Sequence, residues 1–564
     1  MIQAVKLQGL GVSPGVAVGP VLRMVREIPE PAPSGPPPSD VEAESRRALA
    51  ALEAVAADLE ARGGRAGGEA EAVLVAQAMM ARDPGLAEAV TQRVAEGRAA
   101  PRAVFEAFGG YREKLAGAGD YISKRVADLD DVRDRTVARL LDLPMPGLPV
   151  TSTPSVLVAR DLAPADTANL DPALTLGLLT EEGGPTSHTA ILARTSGIPA
   201  VVACPGAMSL ADGTRIILDG GTGLVHVEPG EAEVEAVRAG EAARSAALAS
   251  VTGPGSTADG RRIPLLANIG GPADLEAALA NGAEGVGLYR TEFLFLDRQE
   301  APSEAEQEAA YAAALAAFPS GKVVVRVLDA GADKPLGFLA AEGVEPNPAL
   351  GVRGLRMLQR QPAILEGQLR ALARAAQVTT SGHLEVMAPM VSDAAEARWF
   401  VEACHSAGLT GGIGVMVEVP AAALRAAAIA AEVDFFSIGT NDLTQYAFAA
   451  DRQVGALSRL QDPWQPALLD LVASTASAAA AARRGCGVCG EAAADPVLAC
   501  VLVGLGATSL SMAAPALAAV RAAIRRHSVA DCQAAAEAAR SANSPEQART
   551  RAREALPGLA IMGF

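Results

Sequence analysis

The chain has 564 residues, half of them hydrophobic, and a formal net charge of −17. That length predicts about three or four domains, and the acidity argues against nucleic acid, which needs a basic footprint. The most alanine-rich stretch, Leu471 to Ala482, is far shorter than a bilayer span, and the N-terminus MIQAVKLQGLGVSPG lacks a charged-then-apolar signal pattern, so a soluble, cytoplasmic protein with no membrane segment is expected.

Residues 2–22 read as strand, Gly-Val-Ser-Pro-Gly turn and strand, followed by a proline-rich linker at 27–38. A helical block covers about 40–142. Ser39 and Asp40 are its N-caps, and Gly63-Gly64, Asp83-Pro84 and Gly97 are its expected breaks, giving a small bundle with short loops. A β/α pattern resumes at 155–159, 174–179, 200–203, 214–218 and 223–227. The simplest account is one α/β domain, residues 1–22 and 146–228, into which the bundle, 23–145, is inserted. Residues 229–256 hold an exposed linker helix that GPGS at 253–256 ends.

From 257 to 564 eight short apolar runs recur: 263–268, 285–289, 322–328, 384–390, 412–417, 434–439, 485–489 and 507–511. Helix-like segments separate them, among them 272–280, 304–316, 393–406, 421–432, 464–482, 495–503 and 515–526. Eight such units in about 290 residues match a (β/α)8 TIM barrel. The fold class is therefore α/β: an α/β domain with an inserted helical bundle, then a barrel. Chemistry in such barrels sits at the C-terminal strand ends, and polar residues follow the runs there: Arg290 and Glu292, then Arg326, Asp329 and Lys334, then Glu418, Asn441 and Asp442, then Cys489 to Glu491. A charge closing an apolar strand run is costly without a partner or ligand.

Glu418 and Asp442 come from neighbouring strands. Two such carboxylates suit Mg²⁺, leaving its remaining positions for water and substrate oxygens. Arg290, Arg326 and Arg452 can pair bidentately with phosphate or carboxylate, although each alone also reads as a surface residue or structural ion pair. In GGPTSHTAILARTSGIP, residues 183–199, Thr186 or Ser187 caps a helix ending near Thr195, with Gly197 and Pro199 beyond it. His188 lies in its first turn. It is either a phosphorylatable nucleophile facing free N–H groups and the helix dipole or a polar surface histidine beside a cap. Cys489 is either an acid at a strand end or a small core residue. The six cysteines form no disulfide framework, and Cys486-Gly-Val-Cys489, with no second pair and no nearby histidine, is no zinc site.

GGPTSHTAILAR, LYRTEFLF, VRVLDAGADKP, NPALGVRGLR, VMVEVPAA, FFSIGTNDLTQYAFAADR and VCGEAAADP occur in this order and together resemble Enzyme I of the bacterial phosphotransferase system, over essentially the whole chain. The resemblance implies that His188 accepts the phosphoryl group of phosphoenolpyruvate (PEP). It implies Glu418 and Asp442 as Mg²⁺ ligands, Arg290, Arg326 and Arg452 as phosphate-binding residues, Asn441 with Asp442 as PEP contacts, and Cys489 as the acid that protonates the enolpyruvate methylene carbon. It further implies that the bundle docks the phosphocarrier protein HPr, that the barrel forms a homodimer, and that the histidine domain swings between barrel and carrier. Gly331-Ala332-Asp333-Lys334 departs from the family's Gly-Gly-Asp-Lys, and Gln453-Val454 replaces its Gly-Asn.

Three alternatives stand beside this reading, one of them a nitrogen-system paralogue, which usually carries an extra N-terminal sensory domain where here the histidine domain starts at residue 2. A pyruvate phosphate dikinase or PEP synthase would need an ATP-grasp domain several hundred residues long, and only about 100 helical residues fill the insertion. A non-catalytic regulatory phosphoprotein on the same fold would be expected to lack one of His188, Glu418, Asp442 or Cys489, and all four are present.

Overall fold

The computed structural model describes residues 6–562 apart from 14, 25–27, 34, 36, 67, 117–119, 144, 147–150, 163–169, 172, 185–187, 250, 297, 332–335, 340–344, 380–382 and 452–454. The chain divides into two compact units, Met1–Val237 and Arg238–Phe564. No described helix is long and apolar enough to cross a membrane.

The first unit holds a sheet of eight strands: β1 (Lys6–Gln8), β2 (Leu10–Ser13), β3 (Val16–Arg23), β4 (Ser155–Ala159), β5 (Thr175–Thr180), β6 (Ala200–Val202), β7 (Arg215–Asp219) and β8 (Leu224–Val227). Their order is β1-β8-β7-β3-β4-β5-β6-β2. The N-terminal segment thus supplies three strands where the sequence suggests two. β3 to β6 run parallel, and β7 lies antiparallel beside β3. Strand alternation divides the apolar residues between two faces. Val156, Val158, Leu179 and Val201 join one core, while Leu157, Leu178, Ala200 and Val202 join the other.

Five helices lie between β3 and β4: α1 (Val41–Ala66), α2 (Gly68–Ala81), α3 (Pro84–Ala95), α4 (Ala100–Ala116) and α5 (Asp120–Leu140). They enclose a core of their own around Val55, Leu59, Leu86, Val90, Val104, Phe108 and Val132. Asp40 caps α1 by accepting from Ala43 N–H at 2.9 Å. Asp83 caps α3 with Pro84 in its first turn, and Gly97, at φ 91°, follows it. The expected break at Gly63-Gly64 is not there, because α1 runs through both glycines. Their cost, about 1 kcal/mol each, is small beside the burial of the helix's apolar face.

In the second unit β9 (Leu265–Ile269), β10 (Val286–Arg290), β11 (Lys322–Arg326), β12 (His383–Ala388), β13 (Gly412–Val417), β14 (Phe435–Gly439), β15 (Gly485–Cys489) and β16 (Ser509–Met512) close a barrel. Every pairing is parallel. Three features depart from the sequence reading. The segment 421–432 forms two short helices, Pro420–Leu424 and Ala426–Ile429, bent at Arg425 so that Ala422, Ala423, Ala426 and Ile429 all reach the core. After β11 the chain runs a long way before the helices Leu355–Arg360 and Pro362–Val378. Two more, Val529–Arg540 and Pro545–Ala555, follow the last barrel helix.

Candidate active site

Alternation along the barrel strands determines which side chains face inward. Leu288, Val324, Met387, Met416, Phe435 and Cys489 form one inner cluster, whereas Tyr289, Val325, Val415, Phe436 and Val488 pack outward among the helices. Two residues beyond Leu288, Val324 and Met416 come Arg290, Arg326 and Glu418, on the inward side and one step nearer the C-terminal mouth. The same parity separates the CxxC pair: Cys489 faces in and Cys486 faces out.

At the mouth, four buried carboxylates surround two buried guanidiniums. Arg326, 6% exposed, pairs with Glu292, with Asp329 at 3.4 Å and with Glu418 at 3.4 Å. Arg353, 1% exposed, donates to Asp329 at 2.8 Å, Asp442 at 3.3 Å and the Tyr446 hydroxyl at 3.3 Å. Burial alone would lower Arg326, but the surrounding carboxylates override it and keep it charged. Burial, then the neighbouring Asp442, pushes Glu418 up to about 7, against the pull of Arg326.

Backbone geometry completes the cradle. Glu418 Oε2 accepts from Met390 N–H at 3.0 Å, and Met390 sits at φ 56°, an uncommon value outside glycine. A Cβ on Gly439 would fall 2.8 Å from Glu418 Cγ, so glycine there makes room for the carboxylate. Asn441 and Asp442 open the helix Thr440–Ala447 after β14, and Asn441 Oδ1 lies beside Gly490, next to Cys489. The Cys489 thiol donates to Ile438 O at 3.3 Å. Burial pushes it up to about 11, so it stays protonated at neutral pH. Arg290 is exposed at the rim, in register with Arg326, and has no ion-pair partner among the described residues.

The donor set fits a small, hard divalent cation. Among the described residues four buried carboxylates face two buried guanidiniums. Glu292 Oε2 and Arg326 Nε are buried without a partner among the described residues. Among those residues no cluster of three or more His, Cys, Asp or Glu could cage a metal. A cation held by two carboxylates and completed by substrate oxygens and water matches Mg²⁺.

Residues 8–125, 151–223 and 244–529 match, in order, the N-terminal, mobile and PEP-binding domains of PEP-utilising enzymes. Over 553 residues the chain is 62% identical to a phosphoenolpyruvate-protein phosphotransferase of Streptomyces coelicolor, spanning 98% of this chain and 99% of that protein. A phosphoenolpyruvate-protein phosphotransferase of Haloferax volcanii is 41% identical over 94% of this chain and 96% of its own length. A multiphosphoryl transfer protein of Xanthomonas campestris is 41% identical over 96% of this chain and 66% of its own. The chain belongs to the phosphoenolpyruvate-protein phosphotransferase family.

Within this phosphotransferase the remaining candidate, His188, begins α6 (His188–Ser196) in the first unit. Ala190 and Ala193, one helical turn apart, pack α6 onto Leu157 and Leu178 of the sheet. Gly197, at φ 67°, ends the helix, and Ile198 N–H returns to Ala193 O at 2.9 Å, a Schellman closure. Thr189, fully buried, donates to Asp161 at 3.2 Å and ties the helix start to the end of β4. The His188 side chain, the expected caps Thr186 and Ser187, and Ala332, Lys334, Arg452, Gln453 and Val454 lie outside the described residues.

Arg353 and Met390 escaped the sequence reading of the site. Arg353 stands in GVRGLR, far from any strand end, and only its burial between Asp329 and Asp442 reveals it. Met390 contributes a backbone N–H, which no side-chain pattern announces.

Proposed function

We infer that the chain takes the phosphoryl group of PEP onto His188, releases pyruvate, and passes the group to a histidine of the phosphocarrier HPr, the entry step of the phosphotransferase system. The observation that carries this is the barrel mouth itself. A pocket of buried carboxylates with two buried guanidiniums, Arg290 at its rim without an ion-pair partner among the described residues, and a protonated thiol beneath suits a small phosphorylated carboxylic acid bound with a divalent cation.

In this reading Glu418 and Asp442 hold Mg²⁺, which when bound neutralises charge on the transferring phosphoryl group. Arg290, Arg326 and Arg452 bind the phosphate and carboxylate oxygens, and Asn441 orients the substrate. The His188 imidazole attacks phosphorus as the bond to the enol oxygen breaks. The nitrogen–phosphorus bond forms, and the electron pair leaves with enolpyruvate. Cys489 gives its thiol proton to the methylene carbon, which completes pyruvate. Catalysis rests mainly on positioning and electrostatics.

Phospho-His188, at the start of α6, would meet free backbone N–H groups and the positive end of the helix dipole. We assign carrier docking to the bundle. Support comes from α2, where Val75 and Met79, four residues apart on one face, are 37% and 69% exposed. We assign dimerisation to the barrel unit and activity to the cytoplasm. Intact-mass measurement after mixing the protein with PEP, with and without Mg²⁺, tests the first half-reaction. One acid-labile, Mg²⁺-dependent phosphate on His188 is expected. No added phosphate on folded, metal-loaded protein would overturn the reading.

A further inference from the structure

Beyond Arg326 the chain leaves the barrel sheet, and ties from other elements hold it. Arg326 O accepts from Thr291 Oγ1 at 2.9 Å, and Val327 N–H still donates to Met387 O at 3.0 Å. Leu328 N–H donates instead to a side chain, Gln368 Oε1, at 2.9 Å. Gln368 is fully buried in the helix Pro362–Val378. Its Nε2 donates to Tyr311 Oη at 3.0 Å, Tyr311 donates to Gln307 Oε1 at 3.2 Å, and Gln307 Nε2 donates to Pro302 O at 3.2 Å.

The direction of this chain follows from its ends. A backbone N–H can only donate and a proline carbonyl can only accept, so each link between them has one possible sense. Methionine or leucine would fill the Gln368 space without burying an amide, and a buried amide is costly unless each of its bonds is made. The backbone group that the amide satisfies lies one residue before Asp329, whose carboxylate receives Arg353 at 2.8 Å and Arg326 at 3.4 Å. Arg353 in turn reaches Asp442.

We propose that Gln368 is a positioning residue for PEP: by holding Leu328 it fixes Asp329, and through Asp329 the guanidiniums of Arg326 and Arg353. The role rests on the reading of the barrel mouth as the PEP site. Gln368→Met removes the acceptor at similar volume. In the full-length chain it raises KM for PEP about tenfold, the worth of one buried hydrogen bond, while transfer from phospho-His188 to the carrier is unchanged. Amide exchange over 322–330 speeds up. Gln368→Glu, held protonated by full burial, keeps an acceptor for Leu328 and an O–H for Tyr311 and returns KM to within about threefold of the parent. A KM for Gln368→Met within about twofold of the parent, or equal shifts in the Met and Glu variants, overturns the role. If Gln368→Met does not fold, Tyr311→Phe is read in its place: it cuts the next link, so a raised KM supports the role and an unchanged KM overturns it. If the parent itself takes no phosphate from PEP, the reading of the site has failed. The exchange arm then decides alone, and unchanged exchange over 322–330 in Gln368→Met refutes the tie.

Discussion

Arginine–carboxylate pairs occur in both the bundle and the barrel mouth, under opposite conditions. On the bundle Arg82 joins Glu53 and Glu60, and Arg102 joins Glu106 and Glu30, with solvent at hand to screen the carboxylates. In the barrel Arg326 and Arg353 are buried among carboxylates. Surface pairs contribute little to stability, and burying ions costs more than their mutual attraction returns unless the set is complete. The difference teaches where charge serves the fold and where it serves a ligand: water screens the bundle's carboxylates, whereas those of the barrel mouth are buried around two buried guanidiniums, where a divalent cation would be held.

The largest expected effect lies on neither set. His188→Ala removes the acceptor and should abolish phosphorylation by PEP with the barrel site untouched, read by intact mass. Next, Glu418→Gln or Asp442→Asn should lower the first half-reaction by on the order of a hundredfold or more, as chelation of Mg²⁺ should in the parent. A loss below tenfold in both variants would show that these carboxylates do not hold the cation.

Arg353→Met sharpens the comparison on stability. It takes a buried cation from Asp329 and Asp442, so it should cost about 3–5 kcal/mol in denaturant unfolding. That loss should shrink when Asp329→Asn is added, because the second change removes one of the two charges that lost this partner.

The sequence made the barrel legible because eight apolar runs of strand length, separated by helical segments, have few other solutions. Glu418 and Asp442 were legible because charge at a strand end is conspicuous. Arg353 was not, because its position depends on how the chain after β11 folds back. The joining of Gly63-Gly64 into α1 was also hidden, since glycine's local penalty is visible in sequence and the compensating bundle core is not. The inward alternation at Leu288, Val324 and Met416 was implicit in the spacing, but only barrel closure shows that the residues two further on share one mouth.

Acidity gives a smaller test. Glu418 is raised to about 7 in the fold, from 4.5. The fold therefore has this contribution in full below about pH 4.5 and loses it as pH rises through about 7, by about 3 kcal/mol. Metal-free protein should lose thermal stability across that window, Mg²⁺ should restore it at the upper end, and Glu418→Gln should remove this share of the slope. A parent and a Gln variant with the same slope would mean that Glu418 ionises freely in the fold.

The smallest expected effect is on the bundle. Arg82 donates to Glu53 and Glu60 from the surface, and its guanidinium is held above its ordinary range by those two hydrogen bonds. Water screens both partners when the arginine is removed, and no buried charge is left behind. Arg82→Ala should therefore shift Tm by no more than about 2 °C, and less in high salt, with PEP-dependent phosphorylation unchanged. A shift as large as that of Arg353→Met would mean that the bundle pairs carry structure in the way the barrel pairs do, and the contrast between solvated and ligand-seeking charge would fail.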